Sequence, residues 1–248
     1  MSESTEAKLL QAANTIFAHA EAQGAEWKPP NEIAKLDRMG AKIAAGVSAQ
    51  SSLDTAAAAE ENLRNQRKPL GESVLRMMPG LVRYLKSAGL SAEDRALVQS
   101  LNRGLRGDRS DNSPPAADGA TPARRRISVA QTANVSRVAK FSEIIAFLVE
   151  KEFKSTEERY TVETLTARRN EWNTLNGNIE TAVAATDAGE QLRDDIFYLD
   201  SDSLVDTLTS ARDYILSTNP RGSQIYQAVI KLEFRAPKRL AAARKARS

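Results

Sequence analysis

The residues in this sequence that could do chemistry are few, and their spacing argues against most reactions. There is no cysteine, which removes thiolate nucleophiles, thiolate metal sites and disulfides. There is one histidine, His19, so a two-histidine metal motif has nothing to be built from. The di-iron pattern of helical bundles needs Glu-x-x-His pairs, and Ile16 stands three residues before His19. Adjacent carboxylates occur at Glu60-Glu61, Glu157-Glu158 and Asp194-Asp195. Neighbours on a helix point about 100° apart, so these pairs read as solvated faces and helix starts. Asp200-Ser201-Asp202 lacks the later ligands of a calcium loop and reads as a helix cap. There is no glycine-rich phosphate loop. No catalytic residue, metal ligand or cofactor is expected.

Basic residues remain. The net charge is +3 over 248 residues, unevenly spread. Arg124, Arg125 and Arg126 form one cluster, and Lys238, Arg239, Arg244, Lys245 and Arg247 another, at the end of the chain. Without them the rest is mildly acidic. Such clusters suit phosphate backbones or anionic lipid. The tail has no aromatic to stack on a base, and only Leu240 to insert into a membrane. Arg64 and Arg193 stand at matching places in two similar stretches. They read as anchors of helix ends through a carboxylate, with an anionic ligand as the alternative.

Helices must position all of this. Aromatics are 5% of the chain, and strand-type runs of Val, Ile and Thr are nearly absent, which favours helix. Residues 157–198 contain no proline and carry Leu165, Trp172 and Ile179 seven apart. That period predicts one long amphipathic helix of roughly 60 Å, or a break at Asn176-Gly177. A second long helix is predicted from Pro30 to Arg67, ended by Pro69 and Gly71. A third piece over 71–88 is expected to kink at Pro79 and to close at Gly89. Shorter helices are predicted over 5–23, from Ser91 to about Gly104, and over 130–152, 203–218 and 222–235.

Residues 107–127, rich in Gly, Pro, Ser and Arg, read as a flexible linker. The flanking halves are alike. Trp27-Lys-Pro-Pro-Asn-Glu-Ile matches Phe153-Lys-Ser-Thr-Glu-Glu-Arg, residues 60–66 match 189–195 (Leu63 with Leu192, Arg64 with Arg193), and 73–87 match 203–217 (Tyr84 with Tyr214). The offset drifts from 126 to 130, which suggests a tandem duplication.

The second half has an order of its own: Ser128-Val-Ala-Gln-Thr, an Ile-Ile-x-Phe-Leu core, Glu-x-x-Tyr-Thr-Val-x-x-Leu, Leu-Arg-Asp, Leu-Val-Asp and a closing Phe234-Arg235. It resembles a family of bacterial all-helical proteins built from repeated four-helix units, over 128–235 and more faintly over 5–106. The resemblance implies a fold and no established activity. The linker and the basic tail depart from the family's plain tandem form.

The expected fold is all-α, with two tandem up-down bundles, each with one long helix, over 1–106 and 128–235. A linker (107–127) joins them and a basic tail (236–248) follows. The start, MSESTEAKLLQ, has neither the basic nor the apolar region of a signal peptide, and no run is long enough to span a bilayer. A cytoplasmic protein is expected. The expected function is non-enzymatic, a structural or protein-interaction module with an unidentified protein partner. Weak nucleic-acid contact through the tail and linker arginines is the alternative. Trp27, Trp172, Tyr84 and Tyr214 are candidate contact residues that read better as core.

Overall fold

Seven α-helices carry the described residues of the computed structural model: 5–107, 129–234, 236–237 and 240. They are α1 (Thr5–Gln23), α2 (Leu36–Ser87), α3 (Ala92–Arg106), α4 (Val129–Glu150), α5 (Val162–Asp194), α6 (Leu204–Thr218) and α7 (Gln224–Val229). Among the described residues there is no strand. The linker and most of the tail lie outside the described residues.

Several boundaries follow sequence chemistry. Ser91 caps α3 by accepting from the Asp94 amide at 3.1 Å. Ser203 does the same for α6 at the Asp206 amide, 3.3 Å. Both satisfy an amide that a helix start leaves unbonded. After α2, Gly89 adopts φ +83° and the Leu90 amide reaches back to the Leu85 carbonyl at 3.4 Å. That is a Schellman ending, which glycine permits at no steric cost.

Other boundaries differ from expectation. α2 starts at Leu36, not Pro30, because Pro29 and Pro30 lead into a 3-10 turn at Glu32–Ala34. It then runs 52 residues through both Pro69 and Pro79. Each internal proline costs about 3 kcal/mol. Val74, Met78, Leu81 and Leu85 are all essentially fully buried, and burial of such side chains gives about 1.5–3 kcal/mol each. Packing outweighs propensity here. α5 likewise starts at Val162, after a 3-10 turn at Glu158–Tyr160. It continues through Asn176-Gly177 to Asp194 and one π turn, Asp195–Leu199. The final helix is shorter than expected, six residues from Gln224.

The compact units do not follow the halves of the sequence. One unit holds the described residues up to Ala58 and those from Ala184 onward; the other is Ala59–Val183. α2 and α5 are each divided between the two. The first unit has a core of Leu9, Ile16, Met39, Phe197, Leu208 and Ile215, among others. The second packs Val74, Met78, Leu81, Phe141, Leu148 and Trp172. In both, an opening of one half of the sequence meets the close of the other.

Burial recurs at fixed spacing. Met39 and Leu53 are buried, as are Leu165 and Ile179, 126 positions later. Val74, Met78, Leu81 and Leu85 are buried, as are Leu204, Leu208, Ala211 and Ile215, 130 positions later. Between these sets the second half carries the π turn and the break at Asp200–Ser203, while the first half stays helical. The expected pairing of Leu63 with Leu192 fits poorly, since Leu192 is 52% exposed. Counting on 126 from Arg67 gives Arg193.

Candidate functional site

Arg67 is the buried charge that needs explaining. It lies on α2 in the second unit, 9% exposed. Its Nη1 donates to Asn176 Oδ1 at 3.1 Å. No carboxylate pairs with it among the described residues. Burial, and then the charge of nearby Arg64, push its pKa below the ordinary guanidinium value. An arginine nevertheless keeps its proton, so a positive charge is held inside the unit.

Helical spacing gathers more cations around it. Arg64, Arg67 and Lys68 are three and four residues apart on α2 and share a face. Arg137 reaches in from α4. Together they line a cavity of about 360 Å³, with Gly71, Glu72 and Leu75 in its wall. Glu60 takes Arg64 at 2.6 Å. Glu72 is taken by Arg76 at 2.8 Å. Arg67, Lys68 and Arg137 have no acidic partner among the described residues.

The hydrogen-bond accounting has the same bias. Among the described residues, Arg64 Nε and Arg137 Nε in the lining, and Asn176 Nδ2 and Trp172 Nε1 outside it, are buried and have no hydrogen-bond partner. All four are donors. Gly71 permits the close fit, since a Cβ there would sit 3.1 Å from the Trp172 ring. Unbonded buried donors each cost about 1–3 kcal/mol. A group of acceptors carrying negative charge would satisfy the cations and the donors that face the cavity.

In the first unit Arg193, 126 positions after Arg67, is neutralised. Arg193 donates through Nη2 to Asp194 Oδ1 at 2.7 Å. Burial lowers its pKa, but the Asp194 bond and charge, with Glu6 and Glu190, outweigh that and raise it above the ordinary value. At spacing 126, Glu190 stands where Arg64 does and Asp194 where Lys68 does.

Two other recesses of the first unit are satisfied internally. A groove of about 640 Å³ is lined by hydroxyls with Asp206 and Asp213. Asp206 accepts from Ser203 Oγ, and Asp213 from Arg212. A smaller recess contains Lys42 and Asp202. Lys42 Nζ meets Asp202 at 2.9 Å and Asp200 at 3.6 Å, which holds the expected cap in place and lowers the Asp202 pKa.

The eight basic residues singled out in the sequence, Arg124, Arg125, Arg126, Lys238, Arg239, Arg244, Lys245 and Arg247, all lie outside the described residues. Arg64 and Arg193 both hold carboxylates, but only Arg193 does so at a helix end; Arg64 lies in the middle of α2 and pairs with Glu60 on the same helix, so it anchors no helix end. Arg67, Lys68 and Arg137 were missed. The signal was the R-x-x-R-K order of 64–68, three cations within one helical turn with Glu60 holding Arg64 alone. The four aromatics are structural. Trp27 is buried, its Nε1 donating to the Ala34 carbonyl at 2.9 Å, and Trp172 is 0% exposed. The Tyr214 hydroxyl accepts from the Lys28 amide at 3.2 Å, and the Tyr84 hydroxyl from the Thr156 amide at 2.9 Å.

Among the described residues no group of three or more His, Asp or Glu could hold a metal ion, and no helix is long and apolar enough to cross a membrane. Compared with known proteins, the chain matches no family model, no curated protein and no solved structure.

Proposed function

We propose that this chain is a non-enzymatic, all-helical binding protein whose second compact unit takes up an anion. The observation that carries this reading is Arg67, a buried guanidinium with no carboxylate partner among the described residues, in a cavity lined by further cations. Binding rather than catalysis is favoured by the lining itself. Among the described residues its one carboxylate is Glu72, which Arg76 holds, so no free acid–base group of theirs stands beside the cations.

The scaffold is read as a diverged duplication of one helical unit. Buried positions recurring at 126 and then 130 support this, as does the same tyrosine grip at Tyr84 and Tyr214. The resemblance to bacterial proteins of repeated four-helix units belongs to the same proposal and rests on the order of core and capping residues.

Thermal unfolding in orthophosphate, pyrophosphate and citrate at constant ionic strength tests the anion site. A ligand at 100 times its Kd stabilises by about 2.7 kcal/mol. Stabilisation by at least one of the anions is expected, and its loss in the double variant Arg67→Met/Asn176→Leu. No stabilisation by any of the three, or an equal effect on the variant, would sink the reading.

A further inference from the structure

We infer that the ligand of this pocket is a compact polyanion with two phosphate-type groups and no aromatic base. This rests on the reading that the pocket binds an anion, and adds the class of that anion.

Charge sets the first limit. Arg67, Lys68 and Arg137 line the cavity without an acidic partner among the described residues. Lys68 is exposed and needs no counterion, but a single monoanion would leave either Arg67 or the half-buried Arg137 unmatched, where an uncompensated charge is expensive. A group carrying two or more negative charges balances them.

Donor geometry sets the second. A guanidinium presents a planar fork that matches two oxygens of one phosphate, while an ammonium acts as a point charge. Arg67 comes from α2 and Arg137 from α4, so the forks enter from different helices. Two forks suit two phosphate groups, and Lys68 on the exposed edge suits their shared charge. Arg67 is held by Asn176, which fixes one fork before any ligand arrives.

Size and wall set the third. Small-molecule sites run from about 300 to 1,000 Å³, and this cavity of about 360 Å³ lies near the lower end. Its lining contains no aromatic ring, so nothing offers a base the stacking surface on which nucleobases are held. Gly71 and Leu75 supply the non-polar part of the wall. A diphosphate or a small bisphosphorylated metabolite meets all three limits, and a nucleotide fails the third.

Calorimetry of the full chain with sodium pyrophosphate, sodium orthophosphate and adenosine triphosphate, at fixed ionic strength, decides the point. Pyrophosphate should bind once per chain and about ten-fold or more tighter than orthophosphate, with the nucleotide gaining nothing from its base. Lys68→Gln and Arg137→Gln should each weaken pyrophosphate by about ten-fold. Lys68 is exposed, so Lys68→Gln keeps the fold, which circular dichroism checks. Orthophosphate binding as tightly as pyrophosphate overturns the two-group inference and leaves the anion reading standing. A nucleotide binding tighter than pyrophosphate also overturns it. Pyrophosphate binding untouched by Lys68→Gln in a folded protein removes the site from this pocket. Failure of pyrophosphate and orthophosphate alike to bind removes both readings.

Discussion

Arg67 and Arg193 stand 126 positions apart, one in each compact unit, and are treated in opposite ways. Arg193 has Asp194 against it, with Glu6 and Glu190 contributing charge. Arg67 has a neutral amide, Asn176, and cationic neighbours, Arg64 and Lys68. The two pKa values move apart accordingly, Arg193 up and Arg67 down. A buried ion pair compensates its own desolvation, whereas a buried cation without a carboxylate carries that cost unbalanced. The hydrocarbon around them is complementary too. The first unit sets Gly46 against Phe197, and the second sets Gly71 against Trp172. Counting on 126 from Gly46 gives Trp172, and from Gly71 gives Phe197, so the large and small partners have changed places. A glycine meets a large ring in both units, while the charge around the arginines differs.

The largest effect should come from the shared hydrocarbon. Trp172→Ala removes a fully buried indole and should cost about 3–5 kcal/mol, read by urea denaturation. Phe197→Ala, also fully buried, should cost a similar amount in the first unit. A loss below about 1 kcal/mol for either would break the claim that both units depend on one large ring against glycine.

Removing the neutralising acid comes next. Asp194→Ala leaves Arg193 buried without its carboxylate and should cost about 3 kcal/mol by the same assay. A neutral result would mean that Arg193 turns to solvent, and the contrast with Arg67 would collapse.

The opposite sign is expected in the second unit. Arg67→Met/Asn176→Leu removes a buried cation and a half-bonded amide together. In anion-free buffer it should stabilise by about 1 kcal/mol. Marked destabilisation would show that the cation is a structural part of the unit.

The smallest effect concerns acid. Lys42 donates a hydrogen bond to Asp202 and so lowers its pKa. A carboxylate with a depressed folded pKa contributes stability above its unfolded value, near pH 4, and that contribution is lost as pH falls through the folded value. The Asp202 side chain is half-exposed, so the effect should stay under about 1 kcal/mol. Lys42→Ala should flatten this part of the stability profile below about pH 4 and leave the second unit's anion response unchanged.

Much of the secondary structure was legible because it is set locally. A serine followed by acidic residues predicts the starts at Ser91 and Ser203, and the seven-residue rhythm of Leu165, Trp172 and Ile179 predicts α5. The prolines misled because their cost is local and its compensation is not. Val74, Met78 and Leu81 hold α2 together across Pro69 and Pro79 by packing that no short window contains. The site was less legible. Asn176 lies 109 residues from Arg67, and Arg137 is farther along the chain than any helical period reaches.

Composition and periodicity by themselves determined that this chain is helical, without cysteine chemistry and with a single histidine, because those properties are sums over residues or over one helical turn. Only the tertiary structure decided which helix segments share a core, and therefore which charges meet. The chain divides within both long helices, at Ala58 and at Val183, so each unit draws on both halves of the sequence. Side chains distant in sequence then decide whether an arginine drawn into a core meets a carboxylate or a neutral amide.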